Sequence, residues 1–160
     1  MELLRILAKH LGALKRVPLL PHLFDALLTL IYALCAPRRF RAVARVIDSV
    51  SNWPGVRLTC HRFGGTQFDL HGRELGHIHG NGVLDVYLDR ETRDAVVGSG
   101  EALPHHTFPR SGWVSMLVAT EADARRGLQL LWLGMESRRA CRMGASKSGQ
   151  SAGCPDRVES

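Results

Sequence analysis

The sequence predicts an α+β domain, an antiparallel sheet of four to five strands packed by helices and preceded by an apolar helical N-terminal segment. Three observations carry that prediction. Apolar residues recur at helical spacing before residue 52, the period drops to two between residues 56 and 88, and helical spacing returns near the end of the chain. At 160 residues, 45% hydrophobic and 22% charged, the chain has the composition of one ordinary globular domain with a substantial core. The expected organisation is a helical, apolar and basic segment over 1–52, an α+β domain over 53–138, and a disordered tail over 139–160, where small polar residues show no periodicity towards the end.

The N-terminal segment contains "VPLLPHLFDALLTLIYALCA", residues 17–36, which has the length of a membrane span. Pro18, Pro21, His22 and Asp25 interrupt its first half and leave an unbroken run of 11 residues, Ala26 to Ala36. A charge there is costly in hydrocarbon, and Pro37 with the long basic lead-in fits a secretory signal poorly. Lys9, Lys15, Arg16, Arg38, Arg39, Arg41 and Arg45 flank the run. An apolar helix with cationic flanks suits either contact with an anionic membrane surface through residues 1–45 or packing on the domain. Next, "RRFRAVARVIDSVSN" places Phe40, Val43, Ile47 and Val50 on one helical stripe, and "WPG" at 53–55 ends it.

Strand signals follow. Val56, Leu58 and Cys60 alternate with Arg57, Thr59 and His61, "FGG" breaks the run, and Thr66 to Leu70 forms a second strand. His71-Gly72 and Asn81-Gly82 sit where two-residue hairpin loops belong. A short helix over 90–98 ends at glycine, "GWVSMLVAT" makes another strand, and Thr120-x-x-Asp123 caps a helix with Leu128, Leu131, Trp132 and Met135 on one face. The helices 90–98 and 121–138 are expected to pack on one side of the sheet.

The net charge of +6 is uneven: +5 over residues 1–52, −1 over 53–120 and +2 over 121–160. A nucleic-acid module would concentrate cations on its folded surface and interleave them with exposed aromatics, so nucleic acid is not the expected partner. Cys35, Cys60, Cys141 and Cys154 lack zinc or redox spacing and read as free thiols of a reducing compartment. A cytoplasmic protein is expected, peripheral at the membrane if residues 1–45 touch one.

The candidate site comes from "GRELGHIHGNG", residues 72–82, and "PHH", residues 104–106. With two-residue loops at both turns, His79 faces Leu84, His77 faces Val86 and Thr66, and both imidazoles join Phe68, Leu70, Leu75, Leu84, Val86 and Leu88 on the apolar side of the sheet. Gln67, Asp69, Glu74, Asp85 and Asp89 then face solvent, and Ile78 and Tyr87 are the only large apolar bodies among them. A bulge of one residue would reverse these assignments, and Gly76, Gly80 and Gly82 permit one. Polar rings on an apolar face need hydrogen-bond partners or a ligand. His77, His79, His105 and His106 are therefore candidate catalytic residues, with His61, Glu74 and Trp113 as substrate-binding candidates. They suit proton transfer with an acidic organic substrate. No cofactor is favoured; a divalent metal, if one binds, would use His77, His79 and His106. Hydrogen bonding that merely cross-links the sheet is the third possibility. No Gly-x-Ser-x-Gly elbow and no phosphate-cradling glycine loop is present.

"WPGV" at 53–56, "HRFGG" at 61–65, "GRELGHIHGNGVLDV" at 72–86, "PHHTFPRSGWVS" at 104–115 and the closing helix to Glu136 together resemble the luciferase-domain family. The likeness to the fungal luciferases themselves rests on Glu74-x-x-His77-x-His79, a later histidine (His105 or His106), the strand opened by Trp113, and the last helix. The resemblance implies an oxygenase acting on a small aromatic or enolic compound with molecular oxygen and no flavin, and attachment to membranes through an apolar N-terminus. Gly134-Met135-Glu136 departs from the family's Ser-Tyr before an acidic residue, and the chain is shorter than the light-emitting enzymes. The alternative is a non-catalytic ligand-binding or membrane-associated scaffold whose histidines are structural.

Overall fold

A computed structural model describes residues 20–148. The elements are α1 (Leu20–Cys35), α2 (Pro37–Ser51), β1 (Val56–Cys60), β2 (Thr66–Leu70), β3 (Arg73–Ile78), β4 (Val83–Tyr87), α3 (Arg90–Gly98), β5 (Leu103–Pro104), β6 (Trp113–Leu117) and α4 (Glu121–Ser148). The strands make one antiparallel sheet in the order β1-β2-β3-β4-β6-β5, so the α+β class holds with six strands rather than four to five. The added strand is the two-residue β5, too short to leave a periodicity of its own.

Local chemistry explains the helix ends. Pro37 starts α2, where its missing N–H costs nothing. Asp89 caps α3 by accepting the Thr92 N–H at 3.0 Å. Thr120 and Asp123 close a reciprocal box at the start of α4, the Asp123 N–H donating to Thr120 Oγ1 at 3.2 Å and the Thr120 N–H donating to Asp123 Oδ2 at 2.9 Å. That helix continues to Ser148, so the stretch 139–148, expected in a disordered tail, is helical; residues 149–160 lie outside the described residues.

One face of the sheet packs on α2 and α4. Val43, Val46 and Val50 meet Phe68, Leu75, Ile78, Leu84 and Val86 of the sheet, with Val96 of α3 and Leu131 and Met135 of α4, in one core. The buried stripe of α2 is rotated from the expected one: Ala42 and Val46 are inside, while Phe40 keeps 37% of its surface exposed. Trp132 likewise turns outward and meets Trp53 edge-on, with ring centroids 5.5 Å apart. None of the α1 residues is buried. Among the described residues no helix is long and apolar enough to cross a membrane. Cys35 and Cys60 are free thiols.

Register decides which residues meet across the sheet. At the β2–β3 turn His71 (φ 53°) and Gly72 (φ 81°) both adopt left-handed backbone, as a two-residue type I′ loop requires, and Leu70 pairs with Arg73. Two residues on, the strand bulges: Asp69 pairs with Glu74 but Phe68 pairs with Gly76, leaving Leu75 as the extra residue. The next turn is also longer than Asn81-Gly82 alone. The His79 N–H donates to the Val83 carbonyl at 2.9 Å and the Gly82 N–H to the His79 carbonyl at 2.9 Å, so the loop is Gly80-Asn81-Gly82 with Gly82 at φ 89°. These two single-residue shifts reverse the predicted faces. His77 pairs with Gln67 and Asp85, not with Thr66 and Val86, and Ile78 takes the core position opposite Leu84.

Candidate functional site

The reversed register aligns Thr59, Gln67, His77, Asp85 and Ser115 as one row across β1, β2, β3, β4 and β6. Residues directly opposite one another in neighbouring strands share a face, so these polar side chains converge on the side away from the helical core. Convergence there does not mean solvation. His77 is 7% exposed and Asp85 1%.

His77 has a carboxylate at each nitrogen. Nδ1 lies 2.6 Å from Glu74 Oε1 and Nε2 lies 3.2 Å from Asp85 Oδ2. The bulge brings Glu74 to the same side of the strand as His77, three residues away. Burial pushes the imidazole down, but Asp85 and Glu74 outweigh it and His77 sits above the usual histidine range. Burial raises Asp85 in turn, yet the bonds from His77 and from the Ser115 hydroxyl bring its carboxyl below the ordinary value. Both carboxylates therefore favour the charged form of His77.

His61 leaves the end of β1 and lies flat on His77, with centroids 3.7 Å apart and planes 9° apart. Its loop closes through the Gly64 N–H donating to the His61 carbonyl. Burial and the positive His77 beside it lower His61 to about 4, against a weaker opposing pull from Glu74. The two stacked rings are thus pushed in opposite directions, His61 down and His77 up. His61 Nδ1 is buried without a hydrogen-bond partner of good geometry. His79 stands edge-on to both, 5.7 Å from His61 and 5.1 Å from His77.

The "PHH" pair separates. His105 is buried and its Nδ1 accepts the N–H groups of Thr107 (3.1 Å) and Phe108 (3.2 Å), which fixes the ring proton on Nε2, 3.7 Å from Asp85 Oδ2. Burial lowers its affinity for a second proton, with Asp85 opposing. His106 is exposed and stacks on His105 at 4.5 Å. Trp113, buried at the start of β6, packs edge-on against Tyr87 and lies 5.7 Å from His77 and 6.2 Å from His105.

The trio whose donor atoms all lie within 4.8 Å of one another is His61, His77 and His79, so the third imidazole of any metal set is His61 where His106 was expected. As placed, the trio suits protons better than a metal. His77 has both nitrogens on carboxylates, and the in-plane lone pairs of two stacked rings run side by side rather than converging on one ion.

Sequence reading missed three residues. Asp85 was grouped with solvated acids, Ser115 carried no signal, and Asp25 of α1 registered only as a break in an apolar run. Asp25 accepts the Gly80 N–H at 2.8 Å and lies 3.7 Å from His79 Nδ1. One cue for Asp85 existed: it lies between Leu84 and Val86 in a strand whose neighbours on both sides are covered.

A six-stranded antiparallel sheet with helices on one face and a histidine–carboxylate cluster on the other defines an α+β domain built around a titratable site. Residues 72–134 match the family model described as Luciferase domain. No curated protein and no solved structure matches the chain. The matched residues include His77, His79, Asp85, His105 and Ser115, but not His61 or Asp25.

Proposed function

We propose that this chain is a luciferase-domain protein and a cofactor-independent oxygenase that deprotonates a small enolic or phenolic substrate at the His61–His77 pair. The observation that carries the reading is a stacked pair of imidazoles in which burial and His77 lower His61 while two carboxylates raise His77. Environments that push two titratable groups apart assign acid and base roles. His61, neutral, takes the substrate's O–H proton. Positive charge on His77, which depresses His61, also favours the substrate anion, and the anion as it forms raises the affinity of His61 for the proton. The enolate carbon then transfers an electron to dioxygen, a C–O bond forms, and the peroxide anion regains the proton from His61. Substrate and dioxygen become a hydroperoxide, and His61 ends neutral.

The test is oxygen uptake by the purified full chain with a hydroxylated 2-pyrone as probe. Uptake by the natural chain, reduced about 100-fold or more in His61→Asn with the melting temperature little changed, is the expected result. Equal uptake by both proteins, or none by either, refutes the reading.

A second reading has its own support. His77 is buried with both nitrogens bonded, as a purely structural cross-link would be. In that reading His77→Ala and His79→Ala unfold the protein at lower temperature and neither chain consumes oxygen. Contact with an anionic membrane surface through α1 is part of the proposal under either reading, because that helix exposes Leu23, Phe24, Leu27, Leu30, Ile31 and Leu34.

A further inference from the structure

The site borrows a residue from outside the stretch matched to the family. Helix α1 lies against the loops at one end of the histidine cluster, and its inner side there is polar. Asp25 Oδ1 accepts the Gly80 N–H at 2.8 Å and lies 3.7 Å from His79 Nδ1. Thr29, one turn on, donates to the Asp25 carbonyl at 2.8 Å and sits directly over Gly80. A Cβ at residue 80 would collide with the Thr29 hydroxyl and come within 2.9 Å of the Asp25 carbonyl, so only glycine permits this approach. The carboxylate is largely withdrawn from water, with 16% of the side chain exposed. The interaction joins a helix to a turn 55 residues away through an acid that lies inside an apolar run.

We infer that Asp25 is a positioning residue: its carboxylate holds the proton of His79 on Nδ1, so that Nε2 is left as a bare acceptor beside His61 and His77. A neutral imidazole carries one proton, and the nitrogen nearer an anion keeps it. His105 and His77 have their protons committed towards Asp85. His79 then gives the cluster an acceptor nitrogen that neither of those rings provides, and α1 becomes a wall of the site. This deepens the acid–base reading by adding a residue to it, but the assignment of the proton stands or falls without any substrate.

The experiment is ring nitrogen NMR of the full, ¹⁵N-labelled chain near neutral pH, reading which His79 nitrogen bears hydrogen. The expected result is a protonated Nδ1 and a bare Nε2 in the natural chain. Asp25→Asn can retain the Gly80 bond but lacks the charge, and is expected to move the proton to Nε2 in a measurable share of molecules. Thr29→Val, which loosens the same contact without touching His79, should leave the tautomer unchanged. A natural chain with its proton on Nε2, or with both nitrogens protonated, overturns the inference; so does a folded Asp25→Asn with an unchanged tautomer. If Asp25→Asn does not fold, the natural chain's spectrum alone decides. Loss of oxygen uptake with an intact Nδ1–H spectrum would refute the catalytic reading and leave this assignment standing.

Discussion

The chemistry of the site turns on Asp85. It accepts from His77 and Ser115 while facing His105, so one carboxylate from β4 organises groups on β3, on β6 and in the segment between β5 and β6. The linkage has a definite sign. His77 is raised in the folded state, so its contribution to stability is complete below the unfolded value of 6.5 and is lost as pH climbs through the raised folded value. Asp85 is lowered, so its contribution is complete above 3.8 and is lost as pH falls through the depressed folded value. The clamp is therefore strongest between those limits. Asp85→Asn is expected to cost about 3 kcal/mol at weakly acidic pH, since it strands a buried cation with only Glu74 left. The deficit should shrink above the raised His77 value, where the ring is neutral. Urea unfolding of both chains across pH measures this. A deficit independent of pH would show that His77 is not the charged partner.

Elements whose signals are local were legible in the sequence. The box at Thr120 and Asp123, the two-residue loop at His71-Gly72 and the bounds of α3 depend on residues within a few positions of one another, and all appear in the structure. What decided the faces was not local. A bulge at Leu75 and a third loop residue at Gly80 each shift pairing by one, and a period of two cannot register a single inserted residue. The histidines were found as residues to watch but assigned to the wrong side, and their carboxylates were missed for the same reason. Gly82 fixes the second shift. Its backbone is left-handed at φ 89°, and a Cβ there would run into the Val118 carbonyl, which itself accepts no relief from a mobile side chain. Gly82→Ala should cost about 1–3 kcal/mol through backbone strain, read as a lower urea midpoint. Because the same turn places β4 against β3, the His77 ring resonances should also shift. A variant as stable as the natural chain, with unmoved ring signals, would mean the loop tolerates another register.

At the scale of the molecule, the two sides of α1 face different media. Its inner side touches Gly80 and His79 through Asp25 and Thr29, while the outer side carries six large apolar residues, among them Leu34 at 75% exposure. They recur at steps of 1, 3, 3, 1 and 3 and so lie along one stripe parallel to the helix axis. Sixteen residues span about 24 Å along that axis, short of a bilayer core but suited to lying flat in an interface. Arg38, Arg39 and Arg41 follow directly, and Arg39 already covers the Tyr32 ring at 4.7 Å, so cations border the stripe. An apolar stripe with a cationic border matches an anionic lipid surface better than a neutral one. The full chain is expected to float with vesicles of phosphatidylserine and phosphatidylcholine and much less with phosphatidylcholine alone. Each leucine that enters the interface contributes about 1.5 kcal/mol or more, so replacing Leu27 and Leu34 together by glutamate should weaken partitioning at least about 100-fold. The melting temperature without lipid separates this from coverage by the protein itself. Unchanged or improved melting fits a face that awaits lipid. A drop in melting temperature, with equal flotation of the two chains, would mean that other residues of the chain already cover the stripe and that α1 is a packed helix whose only outward role is to hold Asp25 against His79.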